Sequence, residues 1–324
     1  PGHEQYTRNM VTAASTANLA VILIDARRGV LTQTRRHTFI ASLVRVPHIV
    51  LAVNKMDMVG YSETTFNAIC AEYRAFAAQL GLHDVTCIPL SALVGDMVVE
   101  RGENLNWYQG SPLLEYLESI VIDYDVNTTD FRYPVQWVCR PQTQEYHDFR
   151  GYMGRIESGE IQAGDAVTIL PSGRTSRVKE IATYDGNLQQ AYAPQSIAIT
   201  LVDEIDISRG DMLVKADSMP KVTKEFEAML CWFSESPLDT HRKYIIKHTT
   251  RVVKCFFSRI ENRVDVNTLA RHSTDTLHMN DIAQVAMKVQ QPLVFDSYGR
   301  NRSTGSFIVI DEATNNTVAA GMII

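Results

Sequence analysis

Two uninterrupted apolar runs, Leu19–Asp25 (LAVILID) and Ile49–Val53 (IVLAV), constrain this 324-residue chain more than any other feature. Neither alternates apolar with polar, so each reads as a parallel strand covered on both faces. Between them lies Thr32–Leu43, where Phe39, Ile40 and Leu43 fall on one face of a helix. Ser62 reads as the N-cap of a further helix with Glu63 in its first turn; Phe66, Ile69, Tyr73 and Phe76 share one side, and Leu80-Gly81 stops it. Val85–Leu90 reads as a third strand and Pro112–Val121 as another helix. Strand–helix alternation of this kind predicts a parallel α/β sheet with right-handed crossovers.

The second apolar run leads directly into Asn54-Lys55-Met56-Asp57. A carboxylate at Asp57 accepts from both the ring N–H and the exocyclic amine of guanine. Adenine offers no such pair, and a site built around a defining hydrogen bond rejects analogues that lack it. The stem of Lys55 can lie along base and ribose, Asn54 can tie this loop to a neighbouring one, and Met56 belongs to the same loop. Three fixed positions are few enough to arise by chance. The context adds weight, because open α/β sheets bind ligands at the carboxyl ends of their strands. After the next strand comes Ser91-Ala92-Leu93, a polar turn able to offer a backbone N–H to guanine O6 and to support the Asp57 loop. Taken alone, Ser91 reads as a residue that caps a turn.

Pro1-Gly2-His3 precedes a helix expected over Thr7–Ala14. Gly2 would let a backbone N–H approach a terminal phosphate that a Cβ would obstruct. His3 is the candidate catalytic residue, placed to orient an attacking water, since phosphoryl transfer asks mainly for positioning and charge stabilisation. A bare terminus normally frays, which is the competing reading. Gln33-Thr34-Arg35-Arg36-His37 opens a helix, and a solvated face is the expectation for Arg36 and His37.

From Phe131 the pattern changes to short alternating strands at Val135–Cys139, Gly151–Ile156, Ala166–Leu170 and Ile197–Leu201, punctuated by glycine turns. That spacing predicts a small antiparallel barrel. A second set follows at Phe226–Trp232, Tyr244–Ile246, Val252–Ile260, Gln284–Val289 and Phe307–Asp311. The expected domains are 1–126, 131–220 and 222–324. A net charge of -6 argues against nonspecific nucleic-acid binding. No apolar run reaches the roughly 18 residues of a membrane helix. Cys70, Cys87, Cys139, Cys231 and Cys255 form no C-x-x-C pair and are expected to be reduced, buried thiols of a cytoplasmic protein. No metal-ligating spacing stands out, so no metal ligand is assigned.

Together PGHEQYTRNM, LIDARRGVLTQTRRHTFI, NKMD and SAL resemble, in order and spacing, the translation-factor type of GTPase; DFRGYMGRIESGEIQAGDAVTILPSG and PLVFDSYGRNRSTGSFIVIDEATNNTVAAGMI resemble its two barrel domains. Within that superfamily, DARRGVLTQTRRH, FRYPVQWVCRP and DEIDISRGDML resemble the large, GTP-hydrolysing subunit of bacterial sulfate adenylyltransferase. The resemblance implies a P-loop GTPase domain followed by two β-barrels, using GTP and Mg²⁺. It also implies a small adenylyltransferase subunit as partner, which makes adenosine 5′-phosphosulfate from ATP and sulfate while GTP hydrolysis drives the reaction. It places Asn54, Lys55, Met56 and Asp57 with Ser91, Ala92 and Leu93 around guanine, and Pro1, Gly2 and His3 in the switch segment facing the γ-phosphate. An aminoacyl-tRNA-carrying elongation factor and a nucleotide-independent interaction module are the alternatives. No G-x-x-x-x-G-K-[ST] segment occurs in the 324 residues. A truncated chain with guanine contacts but without GTP turnover of its own is therefore expected.

Overall fold

In the computed structural model, residues 7–122, 127–140 and 149–324 are described. The chain divides into two compact units, one of residues 1–124 with 265–270 and one of 125–264 with 271–324.

In the first unit the apolar runs become neighbouring parallel strands, β1 (Leu19–Asp25) and β2 (His48–Asn54), with β3 (Val85–Pro89) on the far side of β2. The helices are α1 (Thr7–Ala14), α2 (Thr32–Leu43), α3 (Glu63–Gln79) and α4 (Leu113–Ser119). Ile49 to Val53 are wholly buried, as a central strand covered on both faces requires. β1 pairs with β2 in parallel as expected but is less fully covered. It has a strand neighbour on one side only among the described residues, and Leu23 is 63% exposed while Ile22 and Ile24 are buried. The alternation that its sequence conceals is thus present in its burial. α3 begins as expected, with Ser62 Oγ accepting from Thr65 N, and buries Phe66, Ile69, Tyr73 and Phe76. α4 is shorter than its sequence suggests and buries none of its residues.

The second unit is antiparallel throughout. Its first half contains β4 (Arg132–Cys139), β5 (Gly151–Arg155), β6 (Glu160–Gln162), β7 (Ala166–Leu170), β8 (Arg174–Thr183), β9 (Gly186–Leu188), β10 (Gln190–Tyr192), β11 (Ser196–Leu201) and β12 (Met212–Val214). The order β11-β5-β4-β12-β7-β8 closes on itself through a β11–β8 pairing, which leaves no open edge among those strands. Its interior is filled by Tyr133, Val135, Tyr152, Ile169, Val178, Ile181 and Ile199.

The second half contains β13 (Lys221–Trp232), β14 (Tyr244–His248), β15 (Arg251–Val264), β16 (Arg271–His272), β17 (Ile282–Phe295), β18 (Ser306–Asp311) and β19 (Thr317–Ile323). The order β14-β18-β19-β13-β17-β15 closes through β14–β15. Trp232, Tyr244 and Phe257 meet edge-on in the core, with ring centroids 5.4–6.4 Å apart. Gly321 pairs with Phe307 across the sheet, and the Phe307 ring lies where a side chain would stand: a Cβ on Gly321 would sit 2.2 Å from it.

Polar residues join the two barrels. Arg132 at the head of β4 donates Nε and Nη2 to the two carboxylate oxygens of Asp296, at 2.8 and 2.9 Å, and both side chains are almost wholly buried. Thr304 Oγ1 also donates to Asp296, and the Thr304 carbonyl lies 2.7 Å from Nε2 of buried His248. Beside them Arg300 forks onto Asp130, and Asn301 donates to Ser158. Such burial costs solvation that only complete pairing offsets. Here the pairing is bidentate and supplemented by neighbours.

Candidate functional site

Asn54–Asp57 stand at the carboxyl end of β2, and the backbone there turns sharply. Lys55 adopts the left-handed conformation (φ 63°, ψ 37°), and Met56–Val59 forms one 3₁₀ turn closed by Gly60, also left-handed at φ 62°. Asn54 holds this turn. Its Oδ1 accepts from Lys55 N at 2.7 Å and from Ala92 N at 3.0 Å, so one amide oxygen ties the two loops together. Met56 is wholly buried beneath the loop.

Ser91 follows β3 and is fully buried. Its hydroxyl donates to Asp57 Oδ1 at 2.6 Å and accepts from Val94 N at 3.4 Å. The turn-capping role and the supporting role therefore coexist in one side chain. No other described side chain donates to Asp57, so Oδ2 and the remaining lone pairs can accept from a ligand. Leu93, grouped with Ser91 and Ala92 in the sequence, is 88% exposed. Behind the loops, Trp107 donates to Tyr61 O and packs with Tyr108 on Phe66; the Tyr108 hydroxyl donates to Cys87 O on β3.

One carboxylate that the sequence did not single out belongs to this corner. Asp25 ends β1, in register with Asn54 on β2. Its Oδ2 accepts from Lys55 Nζ at 3.0 Å. Arg27 adds its backbone N and Nε, both 3.0 Å from Oδ1, and Nη2 at 2.6 Å from Oδ2. The Arg27 guanidinium, with Lys55 beside it, holds the Asp25 carboxyl far below the usual carboxylate range. A depression of about 310 Å³ opens here, lined by Leu23, Asp25, Gly29, His37, Asn54 and Lys55 among others. Arg36 and His37 are half-buried rather than on a solvated face, and burial lowers the His37 pKa.

Pro1, Gly2 and His3 lie outside the described residues. Among the described residues no cluster of three His, Cys, Asp or Glu could hold a metal ion, so the Mg²⁺ implied by the resemblance finds no ligand set here. Nor is any helix among them long and apolar enough to cross a membrane. All five cysteines are free, and all but Cys139 are buried.

The chain is similar to known proteins over its whole length. The family described as Elongation factor Tu GTP binding domain matches residues 1–123, and the GTP-eEF1A C-terminal domain-like family matches residues 225–324. Sulfate adenylyltransferase subunit 1 of Bacteroides fragilis is 56% identical over all 324 residues, which span 67% of that relative. The bifunctional enzyme CysN/CysC of Mycobacterium tuberculosis is 49% identical over the whole chain, which spans 53% of it. Among solved structures, Sup35 complexed with GMPPNP has the same fold at a TM-score of 0.56 and 23% identity, over 96% of this chain and 79% of that one.

Proposed function

The chain belongs to the family of sulfate adenylyltransferase subunit 1, and from that membership we propose that it supplies the guanine-reading corner of a GTP-binding subunit. GTP hydrolysis by that subunit would drive the adenylylation of sulfate, giving adenosine 5′-phosphosulfate and pyrophosphate from ATP and sulfate. A separate small adenylyltransferase subunit would carry out the transfer, in the cytoplasm. The relatives' names favour this reading over an aminoacyl-tRNA carrier.

The observation that carries the reading is the Ser91–Asp57 hydrogen bond at 2.6 Å, set beside the Asn54–Ala92 tie at 3.0 Å. With Oδ1 held by a buried hydroxyl, the Asp57 carboxylate is oriented before any ligand arrives, and its remaining lone pairs would accept from guanine N1–H and N2–H. Such prior orientation strengthens recognition, because little freedom remains to be lost on binding. Asn54 would hold the loop closed, and Lys55 would cover base and ribose with its stem. Pro1, Gly2 and His3 are proposed to face the γ-phosphate, with His3 orienting water. When bound, Mg²⁺ would supply charge that stabilises the phosphates.

Asp57→Asn tests this in the full-length chain. An amide donates where the carboxylate accepted, so affinity should move from guanosine to xanthosine nucleotides, whose C2 carries an oxygen. Unchanged base preference in a competition assay would overturn the assignment. The partner is tested by co-purification with the small subunit, compared with tRNA as the competing ligand.

A further inference from the structure

The structure places two cations on one carboxylate at the mouth of the depression beside the guanine loop. We infer that Asp25 is a positioning residue for nucleotide recognition: it draws the Lys55 ammonium back to the end of β1 and so stretches the lysine stem across the face where base and ribose lie. The inference rests on the guanine-reading assignment of Asn54–Asp57 and extends it to a residue outside that motif.

The geometry fixes Lys55 at both ends. Its backbone N donates to Asn54 Oδ1 at 2.7 Å, and its Nζ donates to Asp25 Oδ2 at 3.0 Å. A lysine stem has four rotatable carbons, and left to itself it would sample many rotamers. Asp25 cannot swing away to release it, because Arg27 grips both carboxylate oxygens and the Arg27 backbone N donates to one of them. The arrangement depends on sheet register: β1 and β2 run parallel with Asp25 opposite Asn54, so the carboxylate arrives one residue from the lysine it holds. Arg27 sets Asp25, and Asp25 sets Lys55. From the left-handed backbone of Lys55 the side chain reaches the end of β1, where Nζ meets Asp25.

An isolated exposed ion pair contributes little stability, and this one is partly exposed, with Lys55 at 47% and Asp25 at 20%. Its effect is therefore expected in ligand affinity rather than in folding. Immobilising one rotamer-rich side chain ahead of binding corresponds to about 3- to 10-fold in affinity.

The test measures dissociation constants of ribose-labelled GDP, GTP and xanthosine diphosphate for the full-length protein carrying Asp25→Ala, Asp25→Asn, Lys55→Met, Asp25→Ala with Lys55→Met, and Asp57→Asn. Asp25→Ala should weaken GDP and GTP alike by about 3- to 10-fold with unchanged thermal unfolding. Asp25→Asn, which can still accept from both cations, should fall between Asp25→Ala and the unsubstituted protein. In the Lys55→Met background, Asp25→Ala should have no further effect, because the carboxylate acts only through the ammonium; a purely structural role would persist there. An Asp25→Ala protein with unchanged affinity, or a loss that survives Lys55→Met, overturns the inference. If Asp57→Asn shifts base preference while Asp25→Ala does nothing, only the Asp25 role fails. If neither moves guanine affinity, the guanine assignment itself fails and this inference falls with it.

Discussion

Replacing Arg132 by Met should be among the most damaging single substitutions in the barrel unit, and the structure sets the size of the loss. The Arg132 side chain is 0% exposed and that of Asp296 2%. Two charge-assisted bonds of 2.8 and 2.9 Å join them, and Arg132 Nη1 also donates to Phe131 O at 3.0 Å. Methionine fills most of the arginine's volume, so the cavity contribution is small and the electrostatic one remains. Asp296 keeps one donor, Thr304 Oγ1 at 2.7 Å, and stays buried without its counter-ion. Stranding one member of a buried pair costs about 3–5 kcal/mol. For a unit of this size each kcal/mol corresponds to about 2–4 °C, which gives a fall in Tm of about 6–20 °C. Urea unfolding should show the same loss as a lower midpoint at unchanged slope. Arg132→Met with Asp296→Leu should recover most of it, because an apolar pair of similar volume replaces the ions without leaving a buried charge. If Arg132→Met stayed within about 1 kcal/mol of the unsubstituted protein, the pair would be behaving like a surface bridge and the reasoning would be refuted.

Other perturbations reach different parts of the molecule. Ser91→Ala removes the hydroxyl that orients Asp57; a hydrogen bond to a charged group is worth about 1.5–3 kcal/mol, so GDP affinity should drop by about 10- to 150-fold in a titration with labelled nucleotide, and an unchanged value would count against the loop geometry. Burial lowers the pKa of His248, so the unfolded chain binds more protons once the pH drops below about 6.5, and stability should decline from there downward. His248→Asn should flatten that decline in urea midpoints measured between pH 5 and 8 relative to the unsubstituted protein; equal slopes would contradict the assignment. Asp130 runs in the same direction at lower pH: Arg300 lowers its pKa, so its contribution is present above the ordinary carboxylate range and is lost as acid protonates it, and Arg300→Ala should shrink the acid-induced loss. Gly321→Ala should destabilise the second barrel by about 1–3 kcal/mol, because the added methyl meets the Phe307 ring; calorimetry showing no change would mean that the ring can yield.

Much of the architecture was readable before the structure because its signals are local. β2 announces itself by five consecutive apolar residues, and α3 by a Ser cap and a regular apolar face. The strands that went unread carry weaker signals. In β8, Arg174–Thr183, buried apolar side chains are confined to Val178 and Ile181 in a run of exposed polar residues. β19 is built from the small residues of TVAAGMI, without polar alternation, and β12 is only three residues long. Partners distant in sequence are harder still. Asn54, Asp57 and Ser91 could be grouped because each sits in a short motif after a strand. Asp25 closes a run that looks purely structural, and its tie to Lys55, thirty positions away, appears only when β1 and β2 are aligned. Aligning the carboxyl ends of the two apolar runs as parallel neighbours was the available signal. The Arg132–Asp296 pair, separated by 164 positions, had none.

The alignment of β1 on β2 also decides which face of β1 is buried. Side chains on a strand alternate between faces, so sliding β1 by one position would turn Val21 and Leu23 toward the core and push Ile22 and Ile24 out into water. The same slip would set Ile24 or Ala26 opposite Asn54, leaving the lysine ammonium facing a hydrocarbon. Only the observed pairing buries Ile22 and Ile24 and also delivers a carboxylate to Lys55. A chain paired with the wrong strand offset would therefore bury the wrong face of β1 and lose the carboxylate that holds Lys55.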